Sequence, residues 1–388
     1  MHVLILPSWY PLNNEDLNGC FFREQAHALS RAGIKVGVIA PQFRSLKQGV
    51  KAITGSYETE IWMDNNIPTY FKHSMFWFPK VPYLDLHRWV KAGLKLFERY
   101  IKEQGKPDII HVHSLLLAGP LALEIHKKYN IPYCVTEHSS TFARKLISDW
   151  QWGYLTQAAN FSIFCFAVSQ TLATLLERKI KKSEWHVLPN LLDNKFSKSS
   201  SLFKKKYQFC AVARLHPNKG FDVLLKAFAI AHKEKPEVKL ILGGDGSERD
   251  NLQKLARTLN IEEAVTFAGA LSRENVRLLM EESTCFVLSS YVETFGVVVI
   301  EALSQGTPVV ATKCGGPESI VLPEDGILVE VANIEALAQA MMDVIEKRHV
   351  YDSELIRQRC LERFSEKAFT SKITHIYEHC ITEGILES

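Results

Sequence analysis

Short runs of apolar and β-branched residues alternate with segments of helical spacing along the whole chain. In the first half, VLIL (3–6), KVGVIA (35–40), DIIHVH (108–113), PYCVTEH (132–138), IFCFAV (163–168) and WHVLPN (185–190) predict strands. Helical spacing predicts helices over 21–32, 118–129 and 170–179. The second half repeats the plan with FCAVAR (209–214), VKLILGG (238–244), AVTFAG (264–269), CFVLSS (285–290), PVVAT (308–312) and ILVE (327–330). Strands that are apolar throughout, set between helices of ten or more residues, belong in parallel sheets covered on both faces. The expected fold is α/β, with two doubly wound Rossmann-like domains facing a central cleft. A Ser- and Lys-rich stretch without periodicity, DNKFSKSSSLFKKKY (193–207), reads as the linker. It divides a first domain, 1–198, from a second, 199–369, with 370–388 expected to cross back and pack on the first.

At 388 residues the chain is too long for one ordinary core, which agrees with two domains. With 46% hydrophobic and 23% charged residues, the composition is that of a globular protein. No apolar run approaches the roughly 18 residues of a spanning helix. The start, MHVLILPSWYP, lacks a basic n-region and reads as a first strand rather than a signal peptide. Eight cysteines lie far apart without a CxxC, as reduced thiols of a cytoplasmic protein would, and no metal framework is visible.

Charge changes the picture. Residues 1–200 carry 24 Lys and Arg against 16 Asp and Glu, whereas residues 201–388 carry 22 against 27. The first half therefore favours an anionic partner. Its most suggestive stretch is 69–104, with Phe76, Trp77, Phe78, Trp89 and Phe97 among seven Lys and Arg and three acids. From Leu86 onward the apolar positions run at helical spacing, opposite His87, Arg88, Lys91, Lys95 and Lys102. A core-packed helix with a solvated face and a contact with an anionic membrane surface both fit this pattern. Nucleic acid fits less well, because no recognition motif accompanies the charge.

Four segments place polar chemistry where a strand gives way to a helix. In VARLHPNKGFDVLLKAF (212–228), Arg214 and Lys219 precede a helix opened by Gly220. Two cations beside free backbone N–H groups can seat a diphosphate, and they also fit a solvated surface. In LGGDGSER (242–249), Gly244 lets a phosphate or base approach the backbone, but Glu248 replaces the third glycine of a dinucleotide fingerprint. In VTFAGALSREN (265–275), Gly269 leaves room for a flat ligand such as a base, or makes a tight turn. In VETFGVVVIEALSQGTPVVAT (292–312), a helix starting near Phe295–Gly296 puts Glu293 at its mouth and Glu301 inside on an apolar face. A buried carboxylate there can accept from the vicinal hydroxyls of a ribose. On spacing alone, a helix-start acid and an internal salt bridge are the slightly favoured reading.

Taken together, A-R-L…K-G, G-G-D-G, V-x-F-x-G and above all E-T-F-G-V-V-V-I-E-A-L-S-Q-G-T-P-V-V-A-T resemble the retaining GT-B glycosyltransferases with the E-x7-E signature, of the bacterial surface-polysaccharide type. The resemblance covers nearly the whole chain. It implies that Arg214 and Lys219 hold the donor diphosphate and that Glu301 takes the ribose hydroxyls. Glu293, with the amides of Phe295, Gly296 and Val297, would hold the transferred sugar. Gly19, between the first strand and a helix, matches the family's glycine loop beside the donor phosphates. His138, ending PYCVTEH, matches the family's histidine near the reaction centre. VLPNLLD (187–193) matches a motif read as structural. Thr294 and Val297 depart from the residues many members carry, which leaves the donor sugar open.

The resemblance further implies a front-face reaction in which the departing phosphate helps to deprotonate the acceptor hydroxyl. The expected partners are a nucleotide-sugar donor and a glycan or lipid-linked saccharide acceptor, the lipid-linked one preferred, with no cofactor and no divalent metal. A cytoplasmic protein at the inner face of a membrane is the matching location. A GT-B-shaped sugar-nucleotide epimerase and a non-catalytic nucleotide-sugar-binding protein are the rival readings.

Overall fold

All six residues of the first strand, β1 (His2–Pro7), are buried. Only a strand with neighbours at both edges and helices on both faces allows this. The remaining strands of that sheet are β2 (Lys35–Arg44), β3 (Thr59–Asp64), β4 (Ile67–Met75), β5 (Ile109–His113), β6 (Tyr133–Glu137), β7 (Cys165–Ala167) and β8 (Trp185–Val187). Their order is β3-β4-β2-β1-β5-β6-β7-β8, parallel except for the β3–β4 hairpin. The second sheet holds β9 (Gln208–Val212), β10 (Lys239–Gly243), β11 (Val265–Gly269), β12 (Cys285–Leu288), β13 (Val309–Thr312) and β14 (Gly326–Val329). It is parallel throughout, in the order β11-β10-β9-β12-β13-β14. The computed structural model describes residues 1–13, 16, 18–181, 184–198 and 207–386.

The two sheets belong to separate units. The first comprises Met1–Val168, Ala173–Leu188 and Thr370–Ser388; the second comprises Ser169–Leu172 and Pro189–Phe369. In each sheet the chain leaves the central strand in one direction and later resumes on its other side. The switch points therefore lie between β1 and β5, and between β9 and β12, and ligands of such sheets bind at the strands' carboxyl ends there. Twelve of these fourteen strands coincide with the apolar runs of the sequence.

Three expectations are corrected. The hairpin β3–β4 was not foreseen, although Asn65 and Asn66 take the positive φ values, 49° and 69°, that a two-residue hairpin turn requires. Residues 69–75 are consequently a strand rather than the head of a membrane-facing segment. Residues 189–198 belong with the second unit rather than the first. Leu192 N–H donates to Phe364 O, Gln305 Nε2 to Phe196 O at 2.8 Å and Arg357 Nη2 to Ser197 O at 2.6 Å, so that stretch is anchored. Residues 199–206 of the expected linker lie outside the described residues.

The helix Pro82–Gln104 buries Trp89, Leu96, Phe97 and Tyr100 within the first unit. Its inner face is core, as amphipathic helices usually are. Trp77 and Phe78, just before it, are exposed. No helix among the described residues is long and apolar enough to cross a membrane. All eight cysteines are free thiols, seven of them buried.

The helix Glu366–Leu386 enters the first unit at Thr370. There Tyr377 Oη lies 2.6 Å from His111 Nδ1, and Lys372 Nζ donates to Val187 O at 2.9 Å. His111, on the central strand β5, has its other ring nitrogen 2.8 Å from Thr136 Oγ1.

Candidate active site

In the second unit, loops after the strands flanking the switch point are stitched together. Gly220, with φ 63°, caps the helix Phe221–Glu234. A Cβ there would stand 2.1 Å from Ser289 O, so only glycine lets the two loops close. Ser289 Oγ donates to Lys219 O at 3.0 Å, and Tyr291 N–H donates to Asn218 O at 2.9 Å. This brings Lys219 Nζ onto Glu293 Oε1 as an ion pair, and Ser290 Oγ donates to the same oxygen at 3.0 Å. Arg214 stands exposed just beyond β9. Lys219 and Glu293 are together, but as each other's partners.

Gly296, φ 92°, caps the helix Val297–Ser304, whose first amides face the mouth beside Glu293. Phe295 is buried against Phe364, with ring centroids 5.9 Å apart. Gly244 and Gly269 meet through a 2.7 Å hydrogen bond from Gly244 N–H to Gly269 O. A side chain on Gly244 would collide with Ala213 O at 1.9 Å, whereas Gly269 is open, with only Arg249 Nη1 at 3.5 Å.

Glu301 is 1% exposed, two turns into the helix. Arg273 Nη1 lies 2.8 Å from its Oε1 as an ion pair, while neither oxygen accepts a well-aligned hydrogen bond among the described residues. The contact is therefore an ion pair of charge, not an aligned hydrogen bond. Arg273 is itself held by Asp193 Oδ2 at 3.2 Å and lies over the Phe196 ring at 4.6 Å. Burial pushes the Glu301 carboxyl above the ordinary range; Arg273 draws it down, and Asp193 adds to the rise. The internal salt bridge left open by the spacing is real; it engages Oε1, and Oε2 has no hydrogen-bond partner among the described residues. Sequence reasoning missed Arg273. Its one signal was SREN, a capped helix start directly after Gly269.

The first unit presents its own polar cluster at the carboxyl ends of β5 and β6. His138 Nε2 lies 3.1 Å from His113 Nδ1. Phe21 and Phe22, on the helix Cys20–Arg31 that Gly19 caps, pack on the His138 ring at 5.3 and 4.8 Å. Gly19 (φ 81°) and His138 thus belong to one cluster. Glu137, fully buried, accepts from Ser114 Oγ, Leu115 N–H, His138 N–H and Ser139 N–H at 2.7–2.9 Å. Burial raises its pKa, and these four donors pull it back. His113 titrates well below the usual histidine range, chiefly from burial and then from the charges of His111 and His138. Between His113 Nδ1 and His138 Nε2 one nitrogen donates and the other accepts, so the tautomers of the two rings are coupled. Neither Glu137 nor His113 was singled out in the sequence. Among the described residues, no group of three or more His, Cys, Asp or Glu is placed to hold a metal ion.

This geometry has known counterparts. Residues 193–363 match the family described as Glycosyl transferases group 1, and residues 21–196 match Glycosyltransferase Family 4. An uncharacterised glycosyltransferase of Haemophilus influenzae is 30% identical over 287 residues, 72% of this chain and 78% of that protein. The lipopolysaccharide core biosynthesis glycosyltransferase LpsE of Rhizobium meliloti is 34% identical over 163 residues, 41% of this chain and 46% of that one. HepE of Anabaena, solved in complex with UDP, superposes with a TM-score of 0.74 at 20% identity, covering 98% of this chain and 100% of its own. The chain belongs to the glycosyl transferases group 1 family and is a glycosyltransferase with the two-domain GT-B fold.

Proposed function

We propose that the enzyme moves a sugar, with retention, from a uridine diphosphate donor to a lipid-linked glycan in cell-surface polysaccharide synthesis. The observation that carries the donor half is Glu301, a buried carboxylate whose oxygens accept no hydrogen bond among the described residues. Leaving such a group unsatisfied costs several kcal/mol (about 1–3 for a neutral group, more for a charge), which vicinal ribose hydroxyls would recover. HepE, with its bound UDP, supports uridine as the nucleoside, and LpsE supports a glycan acceptor of the cell surface.

In this reading the diphosphate draws Lys219 away from Glu293, and Arg214 joins it. Glu293, released, accepts from the hydroxyls of the transferred sugar beside the amides of Gly296 and Val297. Gly244 and Gly269 leave room for the nucleotide. Within the first unit, the family resemblance assigns Gly19 and His138, which lies against His113 and Glu137, to the reaction centre. The anomeric C–O bond to phosphate breaks as the acceptor oxygen bonds on the same face, and the acceptor proton passes to the leaving phosphate. Arg214 and Lys219 stabilise the charge that grows on the diphosphate, so no divalent metal is required. The enzyme would work at the cytoplasmic face of a membrane as a peripheral protein.

The test is a thermal shift with UDP, GDP, ADP and 2′,3′-dideoxy-UDP, followed by transfer assays with and without EDTA. UDP should raise the melting temperature by mass action. The dideoxy nucleotide should bind at least roughly tenfold more weakly, the worth of one charged hydrogen bond. Equal binding of the two would remove Glu301 from the ribose. Activity lost with EDTA and restored by magnesium would overturn the metal-free mechanism.

A further inference from the structure

The helix Pro82–Gln104 carries a second apolar line that no element among the described residues covers. Leu86, Val90 and Leu94 form one wall of an open groove of about 490 Å3, with Pro120 and Leu123 of the helix Leu115–Tyr129 opposite. A second hollow of about 310 Å3 shares Leu86 and Tyr154 with it and continues between Trp9, Phe76, Phe78 and Trp150. The two make one apolar trough within the first unit. Large apolar side chains stand around it: Trp77, Phe78, Tyr83, Leu84 and Trp150 are each between 37% and 58% exposed. Contiguous exposed apolar surface of this kind marks an interaction site.

The polar groups on the walls of the smaller hollow are already engaged. Ser8 Oγ donates to Ser114 O and accepts from Leu117 N–H and Ala118 N–H. Asp85 accepts from Trp77 N–H, Phe78 N–H and Arg88 Nη1, which pins the aromatic loop against the helix. Tyr154 Oη donates to Leu116 O, and Gln151 Oε1 accepts from Ser148. A saccharide needs a hydrogen-bond partner for each buried hydroxyl, and these walls offer it almost none. A hydrocarbon chain needs none. Beside the trough, Lys80, Lys91 and Lys95 are exposed cations and His87 is an exposed imidazole, while Asp85, already paired with Arg88, and Glu124 are acids on its lining. Apolar walls with a basic rim complement an amphiphile with an anionic head.

We propose that this trough holds the hydrocarbon chain of a phosphate-bearing lipid acceptor, against Leu86, Val90 and Tyr154, with the phosphate near His87 and Lys91. The inference rests on the lipid-linked acceptor proposed above and assigns the place where the lipid is recognised.

Calorimetric titration with inorganic phosphate and with hexyl, octyl and decyl phosphate, below their micellar concentrations, tests it. Affinity should rise by about fourfold per methylene until the trough is filled. Decyltrimethylammonium should bind more weakly than decyl phosphate. Leu86→Glu puts a charge into the trough and Val90→Trp fills it. Each should weaken decyl phosphate at least tenfold while leaving hydrogen-exchange protection of the first unit, which shows that the variant is folded there, and the UDP thermal shift of the second unit unchanged. Decyl phosphate binding no better than inorganic phosphate, or unchanged binding in both variants, overturns the proposal. If decyl phosphate binds as described but transfer to a lipid-free glycan is equally efficient, the trough stands and the lipid-linked acceptor falls. If transfer requires a lipid yet both folded variants transfer normally, the trough is not where the lipid binds.

Discussion

Glu137 and Glu301 are both out of reach of solvent, yet their surroundings are opposite. Glu137 faces four donors, and Glu301 faces none that is aligned. Replacing Glu137 by Gln would turn an amide NH2 toward backbone N–H groups, so Glu137→Gln should cost at least about 2 kcal/mol, read by urea denaturation. Glu301→Gln should behave differently. Burial raises the Glu301 pKa above its ordinary 4.5. Below that value the folded and unfolded chains both hold the proton, and the group adds no pH dependence. As pH rises, the unfolded chain ionises freely while the folded chain ionises only against burial, so stability is lost between the ordinary and the raised value. Glu301→Gln escapes that loss. Its melting temperature at pH 7 should equal or exceed that of the wild type, the difference closing as pH falls toward 4.5, while UDP affinity drops roughly tenfold. A clear fall in melting temperature at pH 7 would show that the Arg273 pair holds the fold. The position of Glu301 was legible from the glutamate spacing. Arg273, 28 positions earlier in the chain, had no local signal that could tie it to that carboxylate.

Elements carry a different kind of information. Twelve of the fourteen strands carry short, mostly apolar runs, so four to six residues suffice to reveal them, whereas β4 mixes Thr69, Lys72, His73 and Ser74 into its apolar residues. β3 escaped because it is an edge strand with Thr59, Glu60, Ile61 and Met63 exposed, and an edge has no such apolar signature. The loop that joins β9 to its helix illustrates what an element can lose by one methyl group. Gly220→Ala meets both a left-handed φ, about 1–2 kcal/mol, and the carbonyl of Ser289. Because that loop also carries Lys219, the variant should melt lower and bind UDP more weakly. Gly33→Ala is the control, since Gly33 has φ 83° but nothing within 4 Å of a Cβ. It should show the backbone strain alone, with UDP binding intact. Equal effects of the two variants on UDP binding would mean that the Ser289 contact does not position the site.

For the whole molecule, the C-terminal helix ties the last residues of the chain to the first unit. His111 is buried in the middle of the first sheet, and burial lowers its pKa to about 3. Removing residues 370–388 would take Tyr377 from its ring nitrogen and uncover Cys134, which lies against Cys380, and Phe164, which packs on His379. Truncation after Phe369 should therefore lower or abolish the first unit's cooperative unfolding, followed by hydrogen exchange, while the second unit keeps its UDP-dependent stabilisation. Loss of exchange protection in both units together would show that they fold as one.

Local pattern alone determined the α/β class, twelve strands, the duplicated plan and the carboxylates of the E-x7-E block. Each of these depends on burial periodicity or on spacing within one helix, and both are written in neighbouring residues. Tertiary structure alone decided who partners whom. Lys219 meets Glu293 across 74 positions, Arg273 meets Glu301 and Asp193, and His113 meets His138 from an adjacent strand. It also decided which aromatics of 69–104 are core and which stand around an open trough. Hydrophobic burial is non-directional and reads out one residue at a time, whereas a hydrogen bond, an ion pair or a groove exists only once distant segments have been brought within a few ångströms.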